Sequence, residues 1–80
     1  MTLSKAIQNR IKGLCAENNI TVNKLSTICG MTQSTLNNIF MRDNSKPTVS
    51  TIKKICDGLE ISLLDFFDSE DFDNLEQEVK

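Results

Sequence analysis

Eighty residues with 39% hydrophobic content make one small domain with a modest core. The formal net charge is −2, and no histidine or tyrosine is present to supply an acid–base pair, so no enzyme is expected. No apolar run approaches the roughly 18 residues of a membrane span, and MTLSKAIQNRIKG lacks the long apolar segment of a signal peptide, so a cytoplasmic protein is expected.

The first predicted helix covers about residues 3–18. Leu3, Ile7, Ile11, Leu14 and Cys15 recur at three- and four-residue steps and form one apolar stripe. Gly13 weakens this helix by roughly 1 kcal/mol relative to alanine. Asn18 and Asn19 end it, because Asn tolerates the left-handed conformation. Thr21 then caps a second helix, Val22 to Cys29. Gly30 breaks the chain in the conformation that ends a helix most cheaply. Thr32 caps a third helix running to about Met41.

Asp43-Asn44-Ser45-Lys46-Pro47 is a loop by composition. Thr48 caps a fourth helix, Val49 to Leu59, with Val49, Ile52, Ile55, Cys56 and Leu59 inward. Ser62-Leu-Leu-Asp65 matches a capping box and opens a short fifth helix over Leu63 to Phe67. The tail, Ser69–Lys80, is expected to be a frayed terminus; the spacing of Phe72, Leu75 and Val79 would also suit one or two acidic amphipathic turns. No strand pattern appears. The expected organisation is an all-α domain over residues 1–68 and an acidic tail over 69–80.

Cys15, Cys29 and Cys56 each sit among apolar helical positions and cannot all pair within one chain. They read as small core hydrophobes. With no CxxC pair and no histidine, neither a metal site nor a cofactor is expected. Charge is unevenly spread. Residues 1–56 carry eight basic and two acidic side chains, net +6; residues 57–80 carry nine acids and one lysine, net −8. The basic body suits a polyanion even though the net charge speaks against one.

Leu25, Cys29, Met31, Leu36 and Ile39 bring the second and third helices onto one core. That leaves Gln33, Ser34, Asn37 and Asn38 as an outward face of amides and hydroxyls without charge. A break of about three residues with a Gly suits two steeply crossing helices, the helix-turn-helix. Ser26 is small where those helices come closest.

From Leu25-Ser26-x-x-Cys29-Gly30-Met31-Thr32-Gln33-Ser34-Thr35-Leu36-x-x-Ile39 through Ile55-Cys56-Asp57-Gly58-Leu59-x-Ile61-Ser62-Leu63-x-Asp65-Phe66-Phe67, the chain resembles the lambda repressor–Cro type of DNA-binding domain, the XRE family. The resemblance covers about residues 5–68 and implies a compact five-helix domain whose third helix enters the DNA major groove. It places Gln33, Ser34, Asn37 and Asn38 at base edges. Thr21, Asn23, Lys24, Thr32, Thr35, Arg42 and Lys46 fall on the DNA backbone or flanking it. Gln and Asn bond adenine in a bidentate way, and no Arg or Lys lies between Gln33 and Asn38, so an A·T-rich site is expected unless Arg42 reads guanine.

The chain departs from the family at three places. Val22 stands where the family often has Gln. Cys15 and Phe40 replace an Arg–Glu pair joining the first and third helices, so apolar contact between Cys15 and Phe40 is expected in its place. Glu60 stands where the family usually has Gly.

The expected function is a sequence-specific double-stranded DNA-binding regulator of transcription, with the repressor label resting on the family alone. No small-molecule ligand is evident. A homodimer is expected, since two half-sites strengthen binding, with Phe66, Phe67, Phe72 and Leu75 as its interface. The acidic tail either joins that interface or lies over the basic body and competes with DNA. The alternative function is a protein-interaction module, such as the antitoxin of a toxin–antitoxin pair.

Overall fold

The computed structural model describes residues 1–41 and 46–79. Among them are six helices and no strand: α1 (Leu3–Glu17), α2 (Val22–Cys29), α3 (Gln33–Met41), α4 (Val49–Leu59), α5 (Leu63–Phe67) and α6 (Glu70–Asp73).

Each start has a local cause. Thr2, Thr21, Thr48 and Ser62 hold extended backbone and accept an N–H three residues on with their side-chain oxygens. Thr32 does the same for Thr35 at 3.2 Å. These bonds satisfy donors that a helix start otherwise leaves open. At α5 the box closes from both sides, because Asp65 also accepts the Ser62 N–H.

The ends are equally local. Asn19, Gly30 and Glu60 all adopt positive φ, at 55°, 68° and 60°. The N–H of the next residue returns to the preceding helix each time: Ile20 to Cys15, Met31 to Ser26 and Ile61 to Cys56, at 3.0, 2.9 and 3.0 Å. Glu60 is strained there, since a side chain in this conformation costs roughly 1–2 kcal/mol. Glu60→Gly is expected to stabilise the fold by about 0.5–1 kcal/mol, after subtracting the extra freedom glycine gives the unfolded chain. Chemical denaturation checks this, and a midpoint at or below the parent's contradicts it.

The core gathers Ile7, Ile11 and Leu14 from α1, Leu25 from α2, Leu36 and Ile39 from α3, Ile52 and Ile55 from α4, and Phe66 from α5. Cys15 and Cys56 are buried among them, and Cys29 is half-buried. Burial pushes all three thiols up, and Cys29 is raised further by its neighbours Cys15 and Cys56. They stay protonated at neutral pH, as packing groups.

Four sequence expectations change. Phe66 is fully buried, so it is not available to a second copy of the chain. It closes the core, and Arg10 of α1 holds the end of α5 beside it, its guanidinium donating to the Phe66 and Asp65 carbonyls at 2.7 Å each. Val49 is 66% exposed at the first position of α4, one turn ahead of the buried Ile52. The fold has a sixth helix beyond the five expected. The tail is not frayed over its described residues: Phe72 of α6 stacks edge-on against Phe67 at 4.9 Å and lies 6.3 Å from Phe66. Phe67, Phe72 and Leu75 keep partial exposure.

Candidate nucleic-acid interface

Helix α3 has two unlike faces. Leu36 and Ile39 are buried, and Phe40 is half-buried against the core. Gln33, Ser34, Asn37 and Asn38 are exposed, as the steps of one and four residues require on a helix whose other face is packed. None of these four side chains bonds another described residue.

The helix carrying this face is fixed from three sides. Gly30 and the Met31-to-Ser26 bond set the turn from α2. Ser26 is buried at that turn and donates its hydroxyl to the Asn23 carbonyl at 2.6 Å, which keeps a polar atom satisfied at a tight crossing. Gln8 of α1 is also buried, and its side-chain N–H donates to the Ile39 carbonyl at 2.8 Å. Lys12 lies over the Phe40 ring, 5.4 Å from its centroid. Cys15 belongs to the core against which Phe40 packs.

Sequence reasoning missed Gln8. Its signal was present: Ser4, Gln8, Ile11 and Cys15 follow helical steps of four, three and four, and all are buried. A glutamine in such a stripe needs a partner, and the last turn of a neighbouring helix offers free carbonyls.

Around the face lie the expected backbone-contacting groups. Thr21, Asn23 and Lys24 are exposed at the start of α2, and Thr32 and Thr35 at the start of α3. The Thr32 and Thr35 hydroxyls bond each other at 2.8 Å, so Thr35 braces the helix start. Lys46 is exposed but paired, its ammonium 3.1 Å from the Glu78 carboxylate. Arg42 lies outside the described residues. No group of three His, Cys, Asp or Glu among the described residues is arranged to hold a metal ion. No described helix is long and apolar enough to cross a membrane.

A polar, uncharged helix face with basic groups at its margins matches what base edges bounded by phosphates present. Residues 10–71 match the family model of the Cro/C1-type helix-turn-helix DNA-binding domain. The chain belongs to that family. The match takes in α2 to α5 and the turn at Gly30, so double-stranded DNA is the partner of the Cro/C1-type domain described here. A solved structure titled "Crystal structure of the prophage Lp1 protein 11" is similar in fold, with a TM-score of 0.82 and 33% identity. The similarity covers 94% of this chain and 99% of that one. A search of curated proteins returns no match.

Proposed function

We propose that this protein is a sequence-specific transcriptional regulator that reads the DNA major groove with α3. The observation carrying the reading is the unpaired face of Gln33, Ser34, Asn37 and Asn38 on a helix whose opposite face is locked into the core. Amides there suit adenine, and no charge on the face suits guanine, so an A·T-rich site is favoured. Lys24 and Lys46, with the hydroxyls and N–H groups at the starts of α2 and α3, take the flanking phosphates.

Repression is the favoured outcome because occupancy of a promoter is enough for it. The cytoplasm is the location that goes with this reading. One such domain makes a small interface, so a homodimer on two half-sites about one helical turn apart supports specific binding. Of the residues first considered for its interface, Phe67, Phe72 and Leu75 keep exposed surface.

Selection of bound duplexes from random DNA, at two salt concentrations, tests the reading. The expected result is A·T-rich half-sites and log K falling with log salt at roughly −3 to −5 per monomer, for three to five neutralised phosphates. Recovery of strongly G·C-rich motifs overturns the base assignment, and no enrichment overturns the function.

A second reading, a protein-interaction module such as an antitoxin, has one observation behind it. Leu64 is 84% exposed beside Phe67, with Asp65 and Asp68 lining the same hollow, an acidic-rimmed apolar spot that suits a basic partner. Co-purification of a small basic protein, without salt-dependent DNA binding, supports it over the first.

A further inference from the structure

The acidic tail is fastened to the body at three points. Phe72 packs on Phe67 and Phe66. The Glu76 N–H donates to the Met1 carbonyl at 2.9 Å. The Lys46 ammonium donates to the Glu78 carboxylate at 3.1 Å, joining residues 32 apart in sequence. The first two contacts set the path of the chain, and the third is where that path ends. Lys46 stands just ahead of α4, on the segment that follows α3, and is one of the two described lysines assigned to phosphate.

From this geometry we infer that the tail is a built-in competitor of DNA: the Glu78 carboxylate occupies Lys46 in the place of a backbone phosphate. The inference rests on the DNA-binding reading above. A carboxylate and a phosphate offer the same things to an ammonium, negative charge and acceptor oxygens. One lysine held by Glu78 is not free to neutralise DNA.

The competitor is weak by construction. The Lys46 and Glu78 side chains keep 54% and 59% exposure, and exposed pairs contribute little. Such a pair yields to a duplex that offers several phosphates at once, and its displacement lowers the affinity for preferred and random DNA by the same factor, because Lys46 meets a phosphate in both.

The test uses the full-length chain and a mixed-sequence duplex of about 20 base pairs, because phosphate contact needs no particular sequence. Affinity is measured by fluorescence anisotropy for the parent, Glu78→Gln, Lys46→Gln and the double variant, at about 0.05 M and about 0.3 M salt. Glu78→Gln is expected to bind about fivefold tighter at the lower salt, with the gain largely gone at the higher. In the Lys46→Gln background, Glu78→Gln is expected to change nothing. Equal affinities for the parent and Glu78→Gln overturn the inference. So does a gain that persists without Lys46, because that is a general charge effect and not competition for one lysine. If none of the four proteins binds DNA, the DNA-binding reading itself fails and the inference falls with it.

Discussion

Gln33→Ala and Asn37→Ala are each expected to weaken binding to the preferred duplex by about 10- to 100-fold, while random DNA is bound about as well as before. Both side chains are exposed on α3 and bond no other described residue, so their loss costs the fold nothing. Every consequence of the change must then appear in the complex. A bidentate amide–adenine pair discriminates by roughly 1–3 kcal/mol, a range that contains the stated fold-change. Lys24→Ala, by contrast, is expected to weaken all duplexes alike and to lower the salt slope by about one, since it removes a phosphate contact and no base contact. Anisotropy titrations against the selected site and a scrambled duplex separate the two patterns, and thermal melts check that each variant is folded. If the alanine variants lose affinity equally for both duplexes, the amides are not reading bases.

What was legible in the sequence was local. The caps at Thr21, Thr32, Thr48 and Ser62 and the end at Gly30 are decided within four residues, and the structure has each in place. At Glu60 the family's preference for Gly is the one sequence hint of the left-handed backbone, whose φ is 60°. The amide face was legible because the same period that buries Leu36 and Ile39 must expose Gln33 and Asn37. What was not legible came from contacts between distant residues. Gln8 meets Ile39 across 31 positions, and Arg10 meets Phe66 across 56. Both are polar side chains bonding backbone carbonyls, and a carbonyl leaves no mark in the sequence. The same gap explains Phe66 and Phe67. Adjacent phenylalanines look alike in composition, and which of them turns inward depends on how α5 lies over the core, where Arg10 bonds the Asp65 and Phe66 carbonyls.

Gly58→Ala is expected to destabilise the fold by about 2 kcal/mol, against the sign that helix propensity alone gives. Gly58 lies inside α4, where alanine is the better helix former by roughly 1 kcal/mol. Space decides otherwise. A Cβ at Gly58 would stand 2.6 Å from the Cys29 sulfur, 3.2 Å from Ile28 Cγ2 and 3.3 Å from the Cys29 Cα. The sulfur can turn aside, but the Cα cannot move unless the end of α2 moves with it. That end is the turn to α3, so the clash is transmitted to the helix that carries the amide face. Gly13 supplies the control. It is also inside a helix, and a Cβ there would meet nothing within 4 Å. Gly13→Ala is therefore expected to stabilise by about 1 kcal/mol, as propensity says. In thermal melts the two variants move in opposite directions, each by about 4–8 °C per kcal/mol for a domain of this size. Adding Cys29→Ala to Gly58→Ala removes the nearest atom and is expected to recover part of the loss, and it does not recover all of it because the Cys29 Cα remains. A Gly58→Ala melt at or above the parent's would mean that α2 and α4 do not cross as closely as this glycine requires. The turn at Gly30 would then owe its position to something other than that crossing.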